Sequence, residues 1–324
     1  ELYFQFHRQY YQSGVKMDLS VQLAPKNKRG LVLRNPLITA SGTFGYGTEY
    51  EHLFDIQSLG AIVCKGTTLE PRQGNPQPRI AETPSGILNA IGLQNIGVDA
   101  LLKEKAPIWA TWQVPVIVNI AGSSIEEYAR IASRLDKAPG ISGVEVNISC
   151  PNVKAGCAAF GADSATAAQV TVKVRKATSL PVWVKLTPDT ADIVGIAAAV
   201  ADAGADAIVL INTLKGMAID TRTRRPVLGN VTGGLSGPAI KPIALRMVYE
   251  VAGAIQDVPL IGSGGIMTAD DAIEFFLAGA SAVQIGTANL INPRAPVEIL
   301  NGIKAYLQKE GLTSIQELVG AIRK

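Results

Sequence analysis

Ala203-Gly204-Ala205-Asp206-Ala207 has a near copy further along the chain, Ala278-Gly279-Ala280-Ser281-Ala282. Each phrase stands where an amphipathic stretch ends and a short apolar run begins. A glycine just past a helix, followed by a small-residue turn into a buried strand, is the joint of an αβ unit. The residue after a helix commonly turns left-handed, which glycine does without steric cost. Working outward from these joints, β-rich apolar runs appear at 37–40, 61–64, 116–119, 143–147, 182–186, 207–211, 259–262 and 282–285. Continuous apolar strands are what a parallel sheet buried on both faces requires. Amphipathic stretches lie between them at 124–135, 165–177, 190–203, 241–255 and 269–278. Several open on a capping residue: Ser123 or Ser124 before Glu126-Glu127, and Thr268 before Asp270-Asp271.

Eight such units predict an α/β fold of the (β/α)8 TIM-barrel type, with long inserted loops over the C-terminal face. A doubly wound sheet is the alternative, but Gly262-Ser263-Gly264-Gly265-Ile266-Met267 lacks the last glycine of a dinucleotide fingerprint. Two connections exceed ordinary βα loops, residues 67–115 and 212–258. The second carries an expected hairpin of 217–220 with 226–228. Long loops inside a compact domain are usually functional. Residues 17–324 are read as one barrel domain, and 1–16, opening Glu1-Leu2-Tyr3-Phe4-Gln5, as a tag or leader.

Composition narrows the function. Of 324 residues 47% are apolar and 18% charged, enough for a large core. The net charge of +3 is scattered, with residues 222–225 the nearest thing to a basic cluster, so no nucleic-acid or anionic-membrane partner is expected. No apolar run reaches the roughly 18 residues of a membrane helix, and a reduced, cytoplasmic setting is expected. The three cysteines, Cys64, Cys150 and Cys157, match neither a disulfide framework nor a metal site. There are only two histidines, His7 in the leader and His52 in an expected helix, so a proton acceptor must be sought among Cys, Lys, Asp, Glu and Tyr.

Reading the strand ends in order gives Ser41, Lys65, Asn119, Asn147 with Cys150, Lys185, Asn212 with Thr213, Gly264-Gly265, and Gly286-Thr287. Barrels of this kind carry their chemistry at those ends. In Val144-Glu145-Val146-Asn147-Ile148-Ser149-Cys150-Pro151-Asn152 the strand stops at a proline, leaving a thiol among short polar groups. Cys150 either packs or reacts. The glycines after runs seven and eight either make tight turns or let backbone N–H groups approach a phosphate. Lys65 and Lys185 end apolar strands, where a buried unpaired ammonium is unfavourable. Either they reach the surface, or a bound anion or electron-rich ring compensates them. Phosphate, lysines and amides together suggest FMN, and a thiol base suggests removing a proton beside a carbonyl.

Ala40-Ser41-Gly42-Thr43-Phe44-Gly45-Tyr46-Gly47, residues 88–95, Asn147-Ile148-Ser149-Cys150-Pro151-Asn152-Val153-Lys154, Ile211-Asn212-Thr213-Leu214 and residues 232–242 resemble the catalytic subunit of class 1B dihydroorotate dehydrogenases. The resemblance runs from Met17 to the C-terminus. It implies FMN held by Ser41, Lys65, Gly66, Asn119, Asn147, Lys185, Ile211, Gly237, Gly264, Gly265, Gly286 and Thr287. It implies (S)-dihydroorotate held by Lys65, Asn89, Ala90, Ile91, Gly92, Leu93, Asn147, Asn152, Asn212 and Thr213, with Cys150 taking the proton as orotate forms in pyrimidine biosynthesis. It further implies a homodimer core in a heterotetramer, whose partner subunit carries FAD and a [2Fe-2S] cluster and passes electrons to NAD. The 1B subclass, rather than the fumarate-using 1A, rests on residues 44–47 and 233–242. Cys157 departs from the small residue expected there and is read as incidental. Two other readings stand beside this one: another FMN barrel reductase with a cysteine acid, and a non-catalytic phosphate-ligand barrel.

Overall fold

A computed structural model describes residues 17–149, 161 and 163–323. The leader 1–16, Cys150, Asn152 and Cys157 lie outside the described residues. The eight expected runs are eight parallel strands: β1 Leu37–Thr39, β2 Ala61–Thr67, β3 Val116–Ile120, β4 Gly143–Asn147, β5 Val182–Lys185, β6 Ala207–Leu210, β7 Leu260–Ser263 and β8 Ala282–Ile285. They pair in chain order, and β8 closes on β1 to make a barrel. Seven of the strands match the sequence reading to within a residue or two. β2 runs three residues beyond Cys64, through a register shift against β3 between Cys64 and Thr67. Such an irregularity re-aims side chains next to a site, and here it falls on Lys65 and Gly66.

The helices of five residues or more are α1 Gly97–Glu104, α2 Ile125–Leu135, α3 Ser164–Ala177, α4 Ile193–Asp202, α5 Lys241–Ala254, α6 Ala269–Leu277, α7 Thr287–Ile291 and α8 Ala295–Glu310, with the single helical turn Ala106–Trp109 after α1. The anticipated caps are in place. Ser124 accepts from Glu127 N–H, and Thr268 with Asp271 forms a capping box. α4 starts later than its pattern suggested, because the Asp192 carboxylate accepts from Gly195 N–H at 2.8 Å and sets the first turn there. The strict eightfold repeat fails once: β1 and β2 are joined through the short 3-10 turn Ile56–Ser58 instead of an α-helix. His52 likewise sits in an exposed turn, not in a helix.

The two repeated phrases do the same work. Gly204 and Gly279 have φ of 96° and 116°. One residue on from each pair's alanine, Asp206 N–H donates to Val182 O at 2.7 Å and Ser281 N–H to Leu260 O at 2.8 Å. Each joint thereby fixes the entry of its strand beside the neighbouring one. Below the barrel, the hairpin Val21–Gln22 with Val32–Leu33 covers the N-terminal end, and buried Trp183 donates to Leu23 O.

The two long loops meet above the C-terminal mouth. Strands Ile80–Thr83 and Gly86–Asn89 from the first, with Leu214–Met217 and Thr232–Ser236 from the second, make one four-stranded antiparallel sheet. The expected hairpin is present as Ile219–Asp220 against Arg225–Pro226. It is an outlying ribbon, and the sheet roofing the barrel lies to either side of it in sequence.

Candidate active site

Between the strand ends and this roof lies a cavity of about 710 Å³, the size of a cofactor-and-substrate site. Ser41 follows β1, Lys65 and Gly66 sit in the irregular end of β2, Asn119 in β3, Asn147 ends β4, and Lys185 ends β5. Ile211, Asn212 and Thr213 follow β6, Gly264 and Gly265 follow β7, and Gly286 and Thr287 follow β8; all face the cavity. Asn89, Ala90, Ile91, Gly92, Leu93 and Gly237 close it from above. Every described residue assigned to a site from the sequence thus borders one space. Ser149 and Ser263, which the sequence placed beside the thiol and within the glycine segment, border it too, as do Thr187, Asp189, Lys215 and Ser236, which no periodicity or run-end signal had singled out as site residues. Loop placement alone brings most of these to the cavity.

Asn147 is held from three sides. Its carbonyl accepts from the buried Tyr128 hydroxyl at 2.7 Å, and its Oδ1 accepts from Ser149 N–H at 3.1 Å and from Asn212 Nδ2 at 3.3 Å. Its amide group is thus oriented before any ligand arrives. The roof loop is wired in the same way. Asn95 Nδ2 donates to Leu93 O at 2.7 Å while its Oδ1 accepts from Gly97 N–H at 2.8 Å. Leu93 stands at φ 54°, a left-handed conformation unusual for a leucine and one that accumulates at ligand sites.

Beneath the cavity a polar layer crosses the barrel interior. Lys185 Nζ donates to Gln284 Oε1 at 2.9 Å, Gln284 Nε2 donates to Glu145 Oε2 at 2.5 Å, and Asn119 Nδ2 donates to Glu145 Oε1 at 2.6 Å. Glu145 and Gln284 are 0% exposed, Asn119 1% and Lys185 4%, so these bonds have no competing solvent. Of the two sequence readings of Lys185, reaching the surface is ruled out by its burial, and beside any bound ring the barrel supplies a carboxylate of its own, one amide away. Glu145 and Gln284 were missed as site residues, although strand alternation puts Glu145 on the same side of β4 as Asn147. Burial still pushes the Lys185 pKa down, with Glu145 acting against it. Half-buried Lys65 is lowered chiefly by desolvation, with Glu49 opposing and Arg79 adding to the effect.

At the far side of the mouth, Gly264 and Gly265 border the cavity with backbone alone and pack so tightly against residues 237–244 that neither position has space for a side chain. A Cβ on Gly265 would stand 2.7 Å from Lys241 Cβ and 2.8 Å from its backbone nitrogen. Thr287 Oγ1 donates to Ser236 Oγ at 2.8 Å, tying the end of β8 to the roof. Among the described residues no cluster of three His, Cys, Asp or Glu stands ready for a metal ion, and no helix is long and apolar enough to cross a membrane.

Fold and cavity define a barrel enzyme whose site is a roofed cleft at the C-terminal mouth, with a mostly apolar wall carrying a few placed polar groups. The sequence profile of the dihydroorotate dehydrogenase family matches residues 24–307. The catalytic subunit of dihydroorotate dehydrogenase B (NAD(+)) from Pelobacter propionicus is 58% identical over 308 residues, covering 95% of this chain and 99% of the relative. The protein of the same name from Desulforamulus reducens is 58% identical over 307 residues, and that from Geotalea daltonii 56% over 308, with the same coverage. The chain belongs to the dihydroorotate dehydrogenase family. Enzymes of this family are flavin-dependent, and the cavity fits that requirement. Asn119 Oδ1 is a buried acceptor with no hydrogen-bond partner among the described residues, suited to a ring N–H. The glycine cradle at Gly264-Gly265 suits the close approach of a phosphate.

Proposed function

We propose that this chain is the catalytic subunit of an NAD-linked dihydroorotate dehydrogenase, oxidising (S)-dihydroorotate to orotate in pyrimidine biosynthesis, with FMN as its flavin. The observation that carries the reading is the convergence of two lysines, an orphan amide oxygen and a glycine cradle on one cavity. FMN would be held by Ser41, Lys65, Gly66, Asn119, Asn147, Lys185, Ile211, Gly237, Gly264, Gly265, Gly286 and Thr287. When bound, the flavin supplies the acceptor for a hydride. Dihydroorotate would lie against Lys65, Asn89, Ala90, Ile91, Gly92, Leu93, Asn147, Asn212 and Thr213, with Asn152 outside the described residues. Lys65 is the cation for its carboxylate, and the asparagine amides match the donor and acceptor edge of a cyclic ureide.

The base is Cys150, whose thiolate removes the C5 proton; its side chain lies outside the described residues, directly after Ser149 in the cavity wall. His52, the one described histidine, is not part of the cavity wall, and the family resemblance puts the acceptor at Cys150. Electrons then pass to NAD through a partner subunit carrying FAD and a [2Fe-2S] cluster, in a cytoplasmic heterotetramer built on a homodimer of this chain. Residues 17–324 serve as its single domain.

The test is anaerobic addition of dihydroorotate to the purified chain. Bleaching of a yellow protein supports flavin, substrate and half-reaction together. A yellow protein that stays oxidised moves the substrate elsewhere, and a colourless protein that cannot be reconstituted with FMN removes the reading.

A further inference from the structure

Four side chains in the barrel interior form one line of hydrogen bonds, and two of them never reach the cavity. Asn119 and Lys185 border it; Glu145 and Gln284 lie below. Glu145 is on β4 and Gln284 on β8, on opposite sides of an eight-stranded ring, so the amide of Gln284 spans the lumen to join them. Barrel interiors of this type are ordinarily filled by branched apolar side chains. A fully buried carboxylate, amide and ammonium in that place need mutual satisfaction, since each alone in an apolar core is strongly unfavourable.

We propose that Glu145 and Gln284 are positioning residues that hold Lys185 protonated and aimed at the flavin, Glu145 as the buried counter-charge and Gln284 as the bridge that transmits it. This rests on the flavin reading above. The direction of each bond supports the assignment. With Gln284 Oε1 on Lys185, its buried Nε2 faces away from the ammonium and needs an acceptor, which Glu145 Oε2 supplies. Glu145 Oε1 takes the Asn119 amide at the same time, which turns the free Asn119 Oδ1 away from the carboxylate. One carboxylate thus orients two cavity groups, a cation and an acceptor. An ammonium has three N–H donors and Gln284 takes one, so Lys185 keeps donors for an electron-rich ring. Without Glu145, desolvation acts on Lys185 unopposed and favours its neutral amine.

The variant Glu145→Gln keeps the shape and removes the charge. The readout is the reduction potential of the bound flavin, taken by anaerobic dye titration of the holoprotein. A protonated Lys185 favours the anionic reduced ring, and its neutral amine does not. Glu145→Gln therefore lowers the potential, by an amount equal to a roughly tenfold loss in the ratio of reduced to oxidised flavin affinity, the worth of one charge-assisted hydrogen bond. In a Lys185→Met background the same substitution no longer lowers it. The opposite sign is equally informative. If Lys185 stays charged without Glu145, deleting a negative charge raises the potential, and that result overturns the proposal, as does no change. If Glu145→Gln does not fold, Gln284→Met breaks the bridge and is judged by the same sign. A wild-type chain that binds no flavin overturns the functional reading and this inference together, whereas flavin with an unmoved potential overturns this inference alone.

Discussion

Ser149 is the last described residue before Cys150, and its backbone N–H is bound to Asn147 Oδ1 at 3.1 Å. The thiol therefore follows a segment whose start is fixed to the strand end. Cys150→Ser should keep its flavin and lose a factor of about 10²–10⁴ in flavin reduction by dihydroorotate at neutral pH, the usual worth of a positioned base. Stopped-flow reduction checks this, and near-normal reduction by the variant removes Cys150 from the mechanism. Gly265→Ala tests the cradle, where the new methyl meets the Lys241 backbone nitrogen at 2.8 Å, at a φ of 73°. It should cost about 1–3 kcal/mol of stability and weaken FMN binding in a fluorescence titration; unchanged affinity would remove Gly265 from the phosphate site. Lys65, Asn119, Asn147 and Lys185 were legible because a polar residue closing an apolar run is conspicuous. Glu145 and Gln284 were not, because each sits inside its run, and the bond joining them crosses the barrel between residues 139 apart in sequence.

At the scale of elements, the αβ joints were readable because their chemistry is local: a glycine past the helix, then small residues. The two joints nevertheless differ in what their fourth residue does. Asp206 Oδ2 accepts from Arg175 at 2.7 Å, Val182 N–H at 2.7 Å and Asn27 Nδ2 at 3.1 Å, stitching α3, β5 and the N-terminal segment together. Asp206→Ala should cost about 3 kcal/mol in urea unfolding, because it strands the half-buried Arg175. Ser281→Ala, in the matching place, should stay within about 0.5 kcal/mol; equal losses would undo this account of the joint. A second tie has a pH signature. Partial burial of Asp136 works to raise its pKa, but hydrogen bonds from Thr178 Oγ1, Ser179 N–H and Ser179 Oγ outweigh it and hold the group at about 2, below the usual 3.8. The unfolded chain takes up this proton first as pH falls. The contribution is therefore complete above 3.8 and drains away toward about 2. Wild type should lose stability more steeply over that window than Asp136→Asn, as followed by urea unfolding at each pH; parallel curves would count against the tie.

For the whole molecule, the decisive object is the roof, and it was the least legible part. Gly86–Asn89 pairs with Thr232–Ser236, and Asn89 and its partner Gly234 are 145 residues apart in sequence; Thr232-Gly233-Gly234-Leu235-Ser236 has two glycines in place of a strand pattern. The glycines are there for contact: a Cβ on Gly233 would meet Asn89 O at 2.5 Å, and one on Gly234 would collide with the Thr213 side chain. Tertiary approach, not local propensity, selects them. The roof turns the mouth of the barrel into one partly covered cavity of about 710 Å³. A flavin and a small cyclic substrate together account for a volume of that order. The glycine segment after β7 serves that cavity and lacks the spacing that seats a dinucleotide on a helix N-terminus. The proposed function accordingly assigns oxidation of substrate and reduction of NAD to separate sites. The chain alone, with FMN bound, should be reduced by dihydroorotate in one stoichiometric turnover and then stop, with neither NAD nor fumarate restoring it rapidly. Adding the proposed partner subunit, with its FAD and [2Fe-2S] cluster, should restore steady NADH formation. Steady NADH formation by the chain alone would place a nicotinamide site on the barrel itself, and rapid reoxidation by fumarate would assign the chain to the subclass that needs no partner.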